Sequence, residues 1–187
     1  MRIIGGTAKG RKLASFRGLS IRPTTDKVRE AIFNILPQSF PFKNVLDLFA
    51  GTGAMGVEAL SRGAEKATLV DSDPRAIRVI KKNLELCRFT EQAVIMNMDV
   101  ESALHILSKK KKRFDLILID PPYEASMTGS ALKSIDEQGL LSPDGIIVSE
   151  SSKRMIWDGA LKGIELTDRR RYGDTVVSFY KNREELR

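Results

Sequence analysis

Almost nothing in this 187-residue chain is available for disulfide or metal chemistry, since it has one cysteine, Cys87, and one histidine, His105. A lone cysteine excludes an internal disulfide and suits a reducing compartment. One thiol and one imidazole fall short of a zinc ligand set, so no metal is expected. Both residues lie in helix-patterned stretches, where filling a core or a surface explains them. Missing too is any apolar run long enough to cross a bilayer, and Met1-Arg2-Ile3-Ile4-Gly5-Gly6 lacks the apolar stretch of a secretory signal. These absences lead to the expectation of a cytoplasmic protein with no membrane partner. No repeat is visible, low complexity is confined to Lys109–Arg113, and nothing calls for an obligate subunit, so a monomer is expected.

What is present is an ordinary globular composition, 42% apolar, with an excess of positive charge amounting to +7. The excess is uneven: residues 1–30 hold eight lysines and arginines against Asp26 and Glu30. A cationic cluster in one segment is the footprint of a phosphate-backbone partner, although a solvated basic face kept for solubility has the same composition.

The most distinctive stretch is Asp120-Pro121-Pro122-Tyr123, which follows the apolar run Phe114-Asp115-Leu116-Ile117-Leu118-Ile119. Such a run, stopped by two prolines, predicts a buried parallel strand, and the carboxyl ends of these strands are where open α/β sheets bind ligands. Proline has no backbone N–H to continue the ladder, which leaves its carbonyl to accept from something else. An acid, two stiff carbonyls and an aromatic ring at the mouth of a sheet suit a flat, amine-bearing group such as a nucleobase. An exocyclic amine is a poor nucleophile because its lone pair is spread into the ring. Acceptors on its N–H bonds, here the Asp120 carboxylate and the Pro121 carbonyl, favour the localised form that attacks. Tyr123 is placed to stack on the base. The plain alternative is a proline-rich turn with an incidental acid.

Upstream, Asn44-Val45-Leu46-Asp47-Leu48-Phe49-Ala50-Gly51-Thr52-Gly53-Ala54-Met55-Gly56 reads as a strand, a glycine-rich turn and the start of a helix. The spacing Gly51-x-Gly53-x-x-Gly56 also fits a dinucleotide fingerprint. Asp47 separates the two readings, because an acid near the turn repels a pyrophosphate and welcomes a cationic amino group. S-adenosylmethionine carries an amino group and a sulfonium without phosphate, and fits better than NAD. The next strand, Ala67–Asp71, ends in an acid 20 residues after Gly51, placed for ribose hydroxyls. A third, Ala93–Met98, ends in Asp99, a candidate partner for an adenine amine or simply a helix cap. Strands at 145–150, 163–167 and 175–180, the last two joined as a hairpin across 168–174, complete the pattern. The fold class expected is α/β, a seven-stranded mostly parallel sheet with one antiparallel strand.

Residues 1–42 read as a basic appendage, a β-hairpin and one helix, leaning on a domain of residues 43–187. Ile3-Ile4-Gly5-Gly6, Lys12-Leu13-Ala14 and Leu19-Ser20-Ile21 predict short strands around turns at Gly10 and Gly18. Pro23-Thr24-Thr25-Asp26 then caps a helix through Val28, Ala31, Ile32, Ile35 and Leu36, ended by Pro37 and Pro41.

Asp47-Leu48-Phe49-Ala50-Gly51-Thr52-Gly53, Asp71, Asp99 and Asp120-Pro121-Pro122-Tyr123, in that order, resemble a Rossmann-like class I S-adenosylmethionine-dependent amino-methyltransferase. Ile3-Ile4-Gly5-Gly6, Gly10-Arg11 and the stretch Arg22-Pro23-Thr24-Thr25-Asp26-Lys27-Val28-Arg29-Glu30-Ala31-Ile32-Phe33-Asn34 narrow this. They resemble the RsmD family of bacterial enzymes that methylate the N2 amine of one guanine in small-subunit (16S) ribosomal RNA. The resemblance implies S-adenosylmethionine as cofactor. Asp47 and the Gly51–Gly53 loop would hold its methionine part with Phe49 alongside, Asp71 its ribose and Asp99 its adenine, and Arg22 and Thr24 would lie beside the pocket. Asp120, Pro121 and Tyr123 would grip the flipped guanine, while Lys9, Arg11, Lys12 and Arg17 would hold ribosomal RNA, within small-subunit assembly particles. Asp71 stands where many relatives place Glu. Three other readings stand beside this one: an adenine-N6 methyltransferase acting on DNA or RNA, an NAD-linked oxidoreductase and a non-catalytic RNA-binding module. The basic runs Lys109–Arg113 and Arg169–Arg171 are open between RNA contact and solvation.

Overall fold

The computed structural model describes residues 1–15, 26–37, 39–122 and 125–183. The helix α1 (Asp26–Ile35) precedes an alternation of strands and helices: β1 (Asn44–Leu48), α2 (Ala54–Ser61), β2 (Lys66–Asp71), α3 (Pro74–Cys87), β3 (Ala93–Asn97), α4 (Val100–Lys109), β4 (Phe114–Ile119), α5 (Ala125–Glu137) and β5 (Leu141–Ser152). Two long strands, β6 (Ile164–Tyr172) and β7 (Thr175–Asn182), close the chain. They form one sheet in the order β3-β2-β1-β4-β5-β7-β6, in which only β7 runs against its neighbours. This is the expected layout, and β5 and β6 are longer than their apolar runs because antiparallel pairing with β7 recruits the polar residues that flank them.

Both faces of the central strands are buried, which explains their nearly unbroken apolar runs. Along β1 and β4 alternate residues go to opposite sides: Val45, Leu116 and Leu118 pack under α2 and α3, whereas Leu46, Leu48, Ile117 and Ile119 pack under α4 and α5. The N-terminal residues Ile3, Ala8 and Leu13 belong to the first of these cores, together with Val28, Ile32 and Phe33 of α1.

The expected N-terminal hairpin is present in short form. Its arms pair antiparallel through the Arg2–Lys12 bridge, with Ile3 N–H donating to Arg11 O at 3.0 Å and Leu13 N–H to Met1 O at 3.2 Å. Beyond that pairing, the N–H groups of Ile4 and Gly5 donate to the Glu58 carboxylate, each at 2.8 Å. Ser61 completes the seam, accepting from Thr7 N–H through its carbonyl at 2.7 Å and donating its hydroxyl to Gly5 O at 2.6 Å. The expected strand at 19–21 and cap at 23–25 lie outside the described residues.

Candidate active site

The strand order reverses between the parallel neighbours β1 and β4, with β2 and β3 added on one side and β4 and β5 on the other, and the carboxyl ends at such a switch point form a crevice. Pairing of Leu48 with both Val70 and Ile119, and of Ile119 with Ser149, sets the next residue of each strand at one level. Asp71, Phe49, Asp120 and Glu150 therefore stand in a row across four adjacent strands, about 4.8 Å apart from strand to strand. They line one cavity of about 650 Å³ with Ala50, Gly51, Thr52, Met98, Asp99, Pro121 and Pro122. That volume holds a nucleoside-sized ligand with room for a second flat group.

The loop after β1 is bent by backbone conformation. Phe49 has φ 59°, Gly51 56° and Gly53 74°, all left-handed. A phenylalanine there is strained by roughly 1–3 kcal/mol, offset by hydrogen bonds on either side: Ala50 N–H to Val70 O at 2.9 Å and Gly53 N–H to Ala50 O at 2.7 Å. Asp71 stiffens the same loop, its two oxygens accepting from Gly51 N–H and Asp73 N–H at 2.8 Å each. Each oxygen keeps a lone pair for a ligand hydroxyl. Gly56 serves a different purpose, close helix–strand packing, since a Cβ there would sit 2.9 Å from Leu69 Cδ2 and 3.1 Å from Asp47 Oδ2.

Asp47 is buried beneath this loop and does not line the cavity wall; its Oδ2 accepts from Gly56 N–H at 2.8 Å. Burial pushes its carboxyl up to about 7, opposed by the Gly56 hydrogen bond and assisted by the negative charges of Asp120 and Asp71. Asp99 both lines the cavity and caps α4, accepting from Ser102 N–H at 2.8 Å and Ser102 Oγ at 2.7 Å. Those bonds hold its carboxyl below the ordinary range. Asp99 is thus a helix cap that also faces the cavity. Asp120 and Pro121 lie half-buried on the cavity wall. Gly53 is buried behind the wall. Tyr123, Arg22, Thr24 and Arg17 lie outside the described residues. Lys9, Arg11 and Lys12 are exposed on the N-terminal segment.

Several cavity residues escaped the sequence reading: Glu101, Met98, Met127, Met155, Glu150 and Asp174. Glu150 did carry a signal, because it follows the apolar run Ile146-Ile147-Val148 as Asp120 follows Ile117–Ile119. Among the described residues the lining holds seven carboxylates, Asp71, Asp73, Asp99, Glu101, Asp120, Glu150 and Asp174, and no lysine or arginine. A pyrophosphate would be repelled here, whereas a cationic ligand gains from every one of these charges. No group of three or more His, Cys, Asp or Glu among the described residues is arranged to hold a metal ion. No described helix is long and apolar enough to cross a membrane.

The two open basic runs are separated by topology. Lys109–Arg113 sits between the end of α4 and the start of β4, at the amino ends of the strands and away from the cavity. Arg170 pairs with Val177, itself level with Glu150, so Arg169–Arg171 lies at the cavity end. There Arg169 pairs with Asp158 at 2.6 Å and Arg170 with Asp168 at 2.8 Å, while Arg171 Nε donates to Gly173 O at 2.8 Å.

A seven-stranded sheet of this order, with a cavity at the β1–β4 switch point, is the class I methyltransferase fold. The structure of yhhF from Escherichia coli superposes with a TM-score of 0.84 at 29% identity, covering 97% of both chains. A family model described as "Conserved hypothetical protein 95" matches residues 1–181. YlbH of Bacillus subtilis is 42% identical over 183 residues, 98% of this chain and 100% of that one. The ribosomal RNA small subunit methyltransferase D of Haemophilus influenzae is 36% identical over 156 residues, 82% of this chain and 79% of that one. The chain belongs to this family, the RsmD family that its sequence resembles.

Proposed function

We propose that this protein transfers a methyl group from S-adenosylmethionine to the exocyclic N2 amine of a guanine in small-subunit ribosomal RNA, acting as a monomer on assembly particles. The observation that carries the reading is the meeting of Asp120 and Pro121 with the Gly51 loop, Asp71 and Asp99 on one acid-lined cavity. The donor set fits the cofactor: Asp71 offers acceptors to ribose hydroxyls and Asp99 to the adenine amine, while the summed negative charge favours the amino group and the sulfonium. When bound there, S-adenosylmethionine supplies an electrophilic methyl group.

The chain's own residues do the rest. Asp120 and the Pro121 carbonyl accept from the two N–H bonds of a guanine flipped out of its stack, localising the nitrogen lone pair and aiming it into the cavity. Asp120 takes up the proton that the amine sheds. Tyr123 stacks on the guanine face, and Arg22 and Thr24 border the pocket. Lys9, Arg11, Lys12 and Arg17 hold the RNA backbone outside the cavity.

Transfer of labelled methyl to naked ribosomal RNA and to small-subunit particles, followed by nucleoside analysis, tests this. N2-methylguanosine is the expected product. Label in adenosine would move the target to the N6 amine of adenine, and no transfer despite cofactor binding would overturn ribosomal RNA as the substrate.

A further inference from the structure

The RNA contacts read from the sequence stop at the N-terminal segment, but that segment is laid along α3. Arg11 Nη1 donates to Leu86 O near the carboxyl end of the helix. Three residues earlier on the helix, toward the cavity, Asn83 Oδ1 accepts from Ala14 N–H at 2.7 Å and Asn83 Nδ2 donates to Ala14 O at 3.1 Å. Ser15 and Asp73, which follow and precede these contacts, both line the cavity. The seam between residues 11–15 and the Asn83–Leu86 turn of α3 therefore opens at the cavity mouth, where Ser15 lies, and runs outward for at most about 15 Å, the reach of so short a segment.

The exposed face of α3 bordering that seam is cationic. Arg75, Arg78 and Lys82 stand at i, i+3 and i+7, one stripe of a helix, and all three are exposed. Among the described residues only Arg75 has an acid within ion-pair distance, Asp73 at 2.8 Å. Arg78 and Lys82 are exposed on the helix that Arg11 contacts at Leu86. Glu85, three residues after Lys82, is the one acid on α3, whose exposed side remains cationic through Arg75, Arg78, Lys81 and Lys82.

We propose that this seam is a track for the RNA backbone on its way to the cavity, with Arg78 and Lys82 of α3 joining Arg11 in neutralising phosphates beside the flipped base. The inference rests on the RNA reading above and extends it to a helix whose charges serve neither the cofactor cavity nor the core. It also gives the cavity's carboxylates a counterpart, because a polyanion near seven acids needs cations along its path.

The test is binding of a small-subunit ribosomal RNA fragment at several salt concentrations by R78E/K82E, R78A/K82A and, as a control at the far end of the sheet, K109E/K112E. Methyl transfer by the unmodified protein is measured separately. R78E/K82E should bind RNA at least about tenfold more weakly, with S-adenosylmethionine affinity and melting temperature unchanged. R78A/K82A should make the slope of log K against log salt shallower by about 1.4, as expected for two lost single-strand phosphate contacts. K109E/K112E should bind as the unmodified protein does. Unchanged affinity and slope in both α3 variants would overturn the track whether or not methyl transfer is seen. Absent methyl transfer with α3-dependent binding would overturn the proposed reaction and leave the track standing.

Discussion

Glu58 faces Arg29 across 3.7 Å, and neither side chain reaches solvent. The same carboxylate accepts from the N–H groups of Ile4 and Gly5 at 2.8 Å and from Arg62 Nε at 2.8 Å. Arg29 in turn donates to Arg2 O and to Asp26 Oδ1, the latter at 3.1 Å. One acid of α2 thus ties the basic N-terminal segment and α1 to the helix that follows the glycine loop. Glu58→Ala would leave the buried Arg29 with only the half-exposed Asp26 as counter-ion and would strip the Ile4 and Gly5 N–H groups of their acceptor, at a cost of about 3–5 kcal/mol. Chemical denaturation measures the loss, and an unchanged midpoint would show that the pair contributes nothing net.

Gly6 marks the same seam from the other side. Its φ is +74°, and a Cβ there would lie 1.7 Å from the Ser61 carbonyl oxygen. Gly6→Ala should therefore combine backbone strain with displacement of the segment, costing about 2–4 kcal/mol. Faster proteolysis before residue 15, with the remainder of the chain resistant, is the expected signature.

Asp47 makes stability depend on pH. Its folded pKa of about 7 lies above the model-compound value of 3.8, so the folded state holds a proton that the unfolded chain gives up first. That contribution is complete below pH 4 and is lost as pH rises to 7, by an amount on the order of 4 kcal/mol. Asp47→Asn keeps an acceptor for Gly56 and should flatten the curve over that window in urea titrations at stepped pH. A cationic cofactor lowers the same pKa, so its affinity should increase as pH passes through 7 in the unmodified protein and not in Asp47→Asn.

Asp120→Ala should separate chemistry from binding. Removing one acceptor aimed at the reacting amine lowers kcat by about 10²–10³-fold, while the affinity for S-adenosylmethionine stays within a factor of a few. Equal losses in both would assign Asp120 to the cofactor.

Asp99 caps α4, and two substitutions separate that cap from the proposed contact with the cofactor. Asn caps a helix as well as Asp does, so Asp99→Asn should keep the melting temperature while weakening the cofactor. Asp99→Ala should lower both. A normal cofactor affinity in Asp99→Asn would leave the cap as its only role.

The division of charge joins these predictions. The protein carries +7 overall, yet its cavity is lined by acids among the described residues. The sequence already separated a phosphate-bearing ligand from a cationic one through Asp47. That reasoning reached the right electrostatics through a side chain buried behind the cavity wall, while the acids on the wall include Glu101, Glu150 and Asp174.

Local pattern by itself determined the elements and their order. Apolar runs stopped by Asp71, Asp99 or Asp120, and the glycines after β1, are read within a few residues, because strand period, turn chemistry and proline's missing donor are short-range properties. The N-terminal hairpin is legible for the same reason, whereas the anchoring of Ile4 and Gly5 by Glu58, more than fifty residues away, is not. Only the tertiary structure decided that Asp71, Phe49, Asp120 and Glu150 share one level, that Asp47 turns beneath the loop, and that α3 lies alongside Arg11. Each of these depends on register, burial or charge between segments distant in the chain, and such quantities exist only once the chain has packed.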